Sequence, residues 1–433
     1  MRAEPSVLFC SSAAVPPAEW IFPVLSLDYL ARIRDNDSRV LLAESFEQEP
    51  PAAVSSRPVC NQLKEKTPEG AGGEMKPEQI LQQFLPEGQT YTYRPFGNGH
   101  INDTFLVTIP ERKLILQRIN REVFKKPEEV MENFVLVTDF IRRKVRLKGG
   151  DADREVLSLL PTLSGKPYFV DPEGECWRIT LFIDGAASYD QVKNERDFYE
   201  SGYAFGHFQH LLEDFPAARL HETIPRFHDT PNRLVNFRRS VSADASGRRK
   251  MAEDMIAKAE EYAYLAPVFM DALKEGRIPL RVTHNDTKFN NIMIDDATGR
   301  GICVLDLDTV MPGLAMNDFG DSIRFGANTA VEDEQDTGKV SLNLPLYEVY
   351  TEGFVKGCEG SLTEQELRWL PIGAMMMTYE NAIRFLADFL DGDTYYKTDY
   401  PEHNLVRTRV QFALLDDMKK KEDEMNRITE RYI

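Results

Sequence analysis

His284-Asn285-Asp286-Thr287-Lys288-Phe289-Asn290-Asn291, followed by Val304-Leu305-Asp306-Leu307-Asp308, sets a carboxylate, a lysine and an asparagine at short, fixed spacing. A second carboxylate, Asp306, comes twenty residues after Asp286, behind a hydrophobic run. Phosphoryl transfer asks little covalent chemistry of a protein. It needs a group that orients or deprotonates the attacking hydroxyl, and oxygen ligands for the Mg²⁺ that accompanies the nucleotide. Asp286 can supply the first, and Asn291 and Asp306 the second.

His284, Asp286 and Asn291 occupy the places of the protein-kinase catalytic loop H-R-D-x-x-x-x-N. Lys288 can reach a transferring phosphate as a point charge. Ile292-Met293-Ile294 reads as a strand, Asp295 to Gly299 as a turn, and Ile302 to Leu305 as the returning strand. Such a hairpin brings Asp306 back beside Asn291. The loop pattern alone also fits an ordinary polar loop, so the hairpin and Asp306 carry the reading. Asp318-Phe319-Gly320 spells the kinase D-F-G, yet it falls too far along the chain for the same geometry. Asp318 and Asp321 are expected to cap a helix or brace the catalytic loop, with Arg324 pairing locally. The run Val304 to Val310 also fits the aspartate nucleophile of haloacid-dehalogenase-type phosphatases. That motif opens a doubly wound domain, and no βα repeat follows it here.

Toward the N-terminus, Tyr91 to Phe96, Thr104 to Ile109 and Leu114 to Ile119 read as a three-stranded meander. Gly97 and Gly99, between the first two strands, would let backbone N–H groups approach phosphates; the same glycines also suit a plain hairpin turn. Arg118 on the third strand stands where kinases place the phosphate-binding lysine, and its fork suits phosphate. A helix starting at Pro127 offers Glu132 as the ion-pair partner of Arg118, with Glu128 and Glu129 as alternatives. A hairpin follows around Asp171 to Glu175, and the strand after it ends at Asp184-Gly185, a hinge position. Beyond it the pattern is helical, with expected helices at 195–212, 248–273 and 365–390. A capping box at Ser361 to Glu364 starts the last of these, and Pro371 near its first turns implies a kink or a late start. Strands first and helices after make this an α+β chain.

A chain of 433 residues with 42% hydrophobic content buries a large core and is expected to form two lobes. A net charge of −18 without a basic stripe excludes a nucleic-acid binder. No apolar run is long enough for a bilayer. The five cysteines are scattered without metal spacing and read as free thiols of a cytoplasmic protein. Residues 1–75, rich in Pro, Ala, Ser and Glu, are expected to be a disordered extension. Nothing in the sequence indicates an oligomeric state.

Gly97 to Thr104, Leu116 to Asn120, Val123 to Asn133, Phe227 to Thr230, Thr283 to Asn291 and Leu305 to Gly313 together resemble the aminoglycoside phosphotransferase and choline kinase group of small-molecule kinases. Within that group they look most like the N-acetylhexosamine 1-kinases. The resemblance runs from about Met75 to the C-terminus. It implies a bilobal protein-kinase-like fold, with an antiparallel-sheet N-lobe at 76–185 and a mainly helical C-lobe at 186–433. It also implies transfer from ATP to the anomeric hydroxyl of GlcNAc or GalNAc, giving a sugar 1-phosphate. Asp286 would be the base, Lys288 and Arg118 would stabilise phosphate charge, and Asn291 and Asp306, with help from Asp308, would hold Mg²⁺. Arginine in place of the strand lysine, and the missing A-P-E signature, point away from a protein substrate. His228, Asp229 and Arg233 are candidate sugar contacts, and Tyr379, Glu380, Asn381 and Arg384 are further ones. Another small acceptor (aminoglycoside-, choline- or homoserine-like) and a non-catalytic nucleotide-binding module are the alternatives.

Overall fold

The computed structural model describes residues 75–97 and 101–433. The expected extension up to Glu74, and Gly99, lie outside the described residues. Six antiparallel strands form the N-terminal sheet: β1 (Thr92–Pro95), β2 (Asp103–Ile109), β3 (Arg112–Ile119), β4 (Leu159–Leu160), β5 (Phe169–Val170) and β6 (Cys176–Leu181). Their order is β1-β2-β3-β6-β4, with β5 also on β6.

The two faces of this sheet differ, and the difference decides what meets the catalytic loop. Side chains alternate between faces along a strand. Leu114 and Leu116 of β3 stand opposite Leu181 and Ile179 of β6 and pack with Trp177 against Ile80, Leu81 and Phe84 from the first helical stretch. The other face carries Gln117, Ile119, Cys176 and Arg178, and Ile119 and Cys176 pack on Val130 and Met131 of the helix Pro127–Leu147. That helix begins with proline at its first turn, and its buried positions Val130, Phe134, Val137 and Ile141 recur at helical spacing.

The C-terminal part is mainly helical, with two small antiparallel sheets. β7 (Ala186–Ala187) and β10 (Gly301–Val304) flank β9 (Ile292–Asp295), and β8 (Arg281–Thr283) pairs with β11 (Met311–Gly313). Helix Leu370–Asp391 is buried on nearly every side and forms the axis of the core, as expected of a helix apolar all round. Two of the long helices expected from sequence are broken. The 248–273 stretch divides into a 3₁₀ turn, Glu253–Glu261 and Val268–Lys274, with Pro267 ahead of the last piece. The 365–390 stretch breaks at Trp369, and its capping box is Thr363 with Glu366, two residues later than expected. No parallel strand pair occurs among the described residues, so the doubly wound phosphatase alternative has no sheet to stand on.

Helices Glu195–Leu211 and Leu344–Gly357 meet backbone to backbone. A Cβ at Gly353 would lie 2.2 Å from Tyr199 O, and one at Gly206 would lie 2.1 Å from Phe354 O. Neither carbonyl can move without its helix. Gly353→Ala is therefore expected to destabilise the protein by roughly 1–3 kcal/mol or more, read as a lowered urea midpoint. An unchanged midpoint would show that the two helices sit farther apart.

Candidate active site

The candidate catalytic loop, His284 to Asn291, spans the gap between β8 and β9. Leu305 N donates to Asn291 O at 2.8 Å, and Val304 pairs with Ile292, so the expected hairpin returns Asp306 beside Asn291. Asp306 adopts φ +52°, a left-handed conformation that aspartate tolerates better than most residues. Buried His284 ties the two segments together. Its Nε2 lies 2.7 Å from Leu305 O, an acceptor only, so Nε2 carries the proton and Nδ1 accepts from Asp286 N at 3.3 Å.

The rest of the loop hangs from helix Ala315–Gly326. Asp318 accepts from the backbone N–H of His284 (2.8 Å) and of Asn285 (2.7 Å), and also from Gln209 Nε2 (2.7 Å). Asn285 itself sits at φ +64°. Thr287 Oγ1 donates to Asp318 O, and Ser322 Oγ donates to Thr287 O at 2.6 Å. The D-F-G triplet is thus a brace, not a metal site, in keeping with the expectation for Asp318. Arg324 pairs with Asp321 (3.0 Å) and Glu332 (2.9 Å).

Asp286 Oδ1 lies 2.9 Å from Lys288 Nζ, and Asn291 Nδ2 donates to Asp286 O at 2.8 Å. Burial works to raise the Asp286 carboxyl, but the Lys288 ammonium outweighs it and holds the group below the usual carboxylate range. The carboxylate in turn raises Lys288. Asp306 is the opposite case. Burial, then the charges of Asp308 and Asp286, push it up to about 6. That the Asp286 charge is felt at Asp306 places both acids in one field.

A crowded, half-buried carboxylate with no cation of its own fits a divalent ion. Asn291 offers the amide oxygen that remains when its nitrogen is spent on Asp286. Among the described residues no three His, Cys, Asp or Glu side chains form a metal cage by themselves. This suits Mg²⁺, which takes one or two carboxylates and completes its shell with water and substrate phosphates.

The elevated Asp306 makes a testable statement. An acid whose folded value exceeds its unfolded one binds its proton more readily when folded. Its ionised form therefore costs stability above about pH 6, and the cost fades as pH falls toward about 4. Asp306→Asn is expected to raise the melting midpoint of metal-free protein at pH 7, by a gain on the order of 1–3 kcal/mol that shrinks at pH 5. The same change should remove any stabilisation by added Mg²⁺-nucleotide. A lowered midpoint at pH 7 would contradict the crowded-carboxylate picture.

Three expected roles are corrected by the geometry. Asp308 is no metal ligand here. Its Oδ1 lies 2.5 Å from Arg178 NH1 and its Oδ2 accepts from Asn102 Nδ2 at 2.7 Å, so both oxygens are engaged. Arg118 shares its sheet face with Leu114, Leu116 and Trp177, opposite the face of Gln117 and Arg178. Its Nε donates to Asp103 at 2.8 Å. Glu132 is not its partner: that carboxylate lies 2.7 Å from His221 Nε2. Glu129 lies 2.7 Å from Lys126. The strand cation that meets the catalytic segment is Arg178, one strand over. Its Nε also donates to Gln117 Oε1 at 3.0 Å, and its guanidinium lies 4.8 Å from the centre of the Phe134 ring. The alternation of β6 carried the signal: a charged residue inside a strand otherwise buried. Gly97 sits at φ +79° in the turn after β1.

The candidate sugar contacts separate into two kinds. His228 Nδ1 lies 2.8 Å from buried Glu380, and its Nε2 lies 3.5 Å from Asn285 O, so it stands beside the catalytic loop. Burial works to raise Glu380, but His228 holds it low. Arg233 donates twice to Phe227 O (3.1 and 2.8 Å), and Arg384 lies over the rings of Phe227 (5.4 Å) and Tyr396 (5.7 Å). Asp229, by contrast, caps the helix Thr230–Ala243 through Asn232 N and lies 2.7 Å from Arg226 Nε. Its carboxylate is spent on the fold. Tyr379 faces inward and donates to Ala259 O, and Asn381 donates to Met377 O.

No helix among the described residues is long and apolar enough to cross a membrane. A family model described as "Phosphotransferase enzyme family" (APH) matches residues 92–352, more than half of the chain. Solved structures of similar fold include a microcompartment-associated aminopropanol kinase: 16% identical, TM-score 0.51, covering 81% of this chain and 97% of that one. Another is an aminoglycoside phosphotransferase from Alicyclobacillus acidocaldarius: 11% identical, TM-score 0.53, covering 82% and 98%. At such identities these two establish the shared kinase-like architecture. The chain belongs to the APH phosphotransferase enzyme family.

Proposed function

We propose that the protein transfers the γ-phosphoryl group of ATP to the anomeric hydroxyl of an N-acetylhexosamine, giving the sugar 1-phosphate and ADP. The observation that carries this reading is the pairing of an ionised Asp286 with Lys288 in the same field as the crowded Asp306. Asp286 accepts the proton of the attacking hydroxyl as its oxygen bonds to phosphorus. Lys288, beside it, offsets charge on the phosphoryl oxygens. Asp306 and the amide oxygen of Asn291 would hold Mg²⁺, which when bound neutralises the phosphate oxygens.

The acceptor side supports a sugar. His228, Arg233 and Arg384 bring polar groups next to the faces of Phe227 and Tyr396. Few placed polar groups among aromatic walls are the usual make-up of a small-molecule pocket. The stretches around Phe227 and Thr283, which resemble those of N-acetylhexosamine 1-kinases, favour that acceptor. The test is ADP release from Mg-ATP with GlcNAc, GalNAc, an amino alcohol and an aminoglycoside, with ³¹P NMR locating the phosphate. An anomeric phosphate on GlcNAc or GalNAc is expected. Turnover confined to the amino alcohol or the aminoglycoside would replace this acceptor, and nucleotide binding without transfer to any of them would remove the reading.

A further inference from the structure

Two hydroxyls stand behind the candidate catalytic loop and take no part in the transfer itself. Tyr350, on helix Leu344–Gly357, donates to Ser322 Oγ at 2.6 Å, and Ser322, on helix Ala315–Gly326, donates to Thr287 O at 2.6 Å. The direction of this relay is fixed by its end. A carbonyl oxygen only accepts, so the single Ser322 hydroxyl proton goes to Thr287, and the proton between Tyr350 and Ser322 must be the tyrosine's. Burial pushes the Tyr350 phenol well above its usual range, which keeps that proton in place. All three residues are at most 2% exposed, so water cannot stand in for a missing link.

The tyrosine is itself held. Its ring centre lies 4.6 Å from that of Phe198 and 5.6 Å from that of Phe319. A Cβ at Gly202 would lie 2.5 Å from Tyr350 O, so the backbone behind the ring abuts helix Glu195–Leu211. Ser322, by contrast, has a choice of acceptor. A serine inside a helix can turn its hydroxyl back to the carbonyl four residues earlier. Here that carbonyl belongs to Asp318, which already accepts from the Thr287 hydroxyl. Donation from Tyr350 occupies a lone pair of Ser322 Oγ and leaves its proton directed at Thr287 O. That oxygen belongs to the peptide joining Thr287 to Lys288, and a peptide unit is planar. Fixing the oxygen fixes the plane from which Lys288 departs, while Asp318 fixes the N–H groups of His284 and Asn285. Asp286 is thus pinned on both sides.

We propose that Tyr350 is a positioning residue of the phosphoryl transfer: through Ser322 it sets the direction of Thr287 O and so the geometry of the Asp286–Lys288 pair. The proposal rests on the reading of Asp286 as the proton acceptor and extends it. It concerns alignment of the reacting groups and not ground-state binding, so its loss falls on kcat and spares KM.

The test compares Tyr350→Phe with Tyr347→Phe under Mg-ATP and GlcNAc. Tyr347 lies a turn earlier on the same helix, is equally buried, and has its hydroxyl 3.1 Å from Thr429 Oγ1, away from the loop. Each variant loses one buried phenol hydroxyl. Tyr350→Phe is expected to lower kcat by about 3- to 10-fold, the worth of one hydrogen bond, with both KM values unchanged. Tyr347→Phe should keep the native kcat. Ser322→Ala, which removes both links, should lower kcat at least as far. Tyr350→Phe combined with Ser322→Ala should be no slower than Ser322→Ala alone, because both act through one relay. A native kcat in Tyr350→Phe, an equal loss in Tyr347→Phe, or losses that multiply in the double variant overturn the relay. If Tyr350→Phe does not fold, Ser322→Ala against Tyr347→Phe carries the same comparison. Asp286→Asn is run beside them: near-native turnover there removes the proton-acceptor reading, whereas native turnover in Tyr350→Phe removes the relay alone. Where GlcNAc is not phosphorylated, ATP hydrolysis by water reads the same ratios, and the sugar, not the relay, is withdrawn.

Discussion

Asp286→Asn is expected to lower kcat by about a thousandfold, within the 10²–10⁴ span typical of a lost general base, while ATP binds within a few-fold of the native affinity. The substitution keeps shape and removes charge. Asn291 Nδ2 still has the backbone oxygen of residue 286 to donate to at 2.8 Å, so the loop stays closed. Lys288 loses its partner but is 38% exposed, so water takes over much of the lost interaction. Stability should therefore change by about 1 kcal/mol or less. The measurement is single-turnover ADP release at saturating acceptor, paired with calorimetric titration of nucleotide. Because Lys288 holds Asp286 below the usual carboxylate range, the native base stays ionised through the whole physiological range, and any acid limb of the rate belongs to another group. A variant retaining more than a tenth of the native rate would take the proton-accepting role away from Asp286.

The contrast between Asp306 and Asp308 shows where sequence reading works and where it stops. The placement of Asp306 beside Asn291 and the Asp286 loop was legible because a loop and a two-stranded hairpin are local. Spacing along the chain sets their distance in space, and the register Val304 to Ile292 follows from the turn between them. The sheet and the helix from Pro127 were legible for a similar reason, since apolar periodicity and a proline start are written in consecutive residues. Asp308 is two residues from Asp306 but belongs to a different argument. Its partners, Asn102 and Arg178, are 206 and 130 positions away. No spacing rule reaches that far. Arg118 failed for a subtler cause. Its strand was located correctly, but a single residue of register decides which face a side chain takes. The burial of Leu114 and Leu116 beneath the first helical stretch puts Arg118 on that face with them, away from the face of Gln117 and Arg178. Asp229 shows the remaining ambiguity: aspartate before Thr-Pro is as good a helix cap as it is a sugar ligand, and here it is the cap.

Arg178→Met should produce the largest loss of stability of any single change near the site. Arg178 and Asp308 are each 2% exposed, and Asp308 Oδ1 lies 2.5 Å from the guanidinium. Removing the cation leaves a buried carboxylate with only Asn102 to satisfy it. Breaking one side of a buried ion pair typically costs about 3–5 kcal/mol, which for a chain of this size lowers the melting midpoint by roughly 5–15 °C. The loss can be separated from catalysis by a double substitution. Arg178→Met with Asp308→Leu removes both charges together, and such apolar replacements are often neutral or better for stability. The melting midpoint should return close to the native value. Activity should not return, because the pair does more than balance charge. Through Asp308 it fixes the turn that presents Asp306, and through Asn102, whose Oδ1 accepts from Asn120 N at 3.0 Å, it ties the segment after the glycine turn to the same point. With the tie gone, the sheet and the catalytic hairpin fold but no longer hold a common register. The double variant should therefore show a raised KM for Mg-ATP as well as a lowered kcat. Full recovery of both stability and turnover would mean that the ion pair only fills space. An unaltered midpoint in the single variant would mean that it does not form.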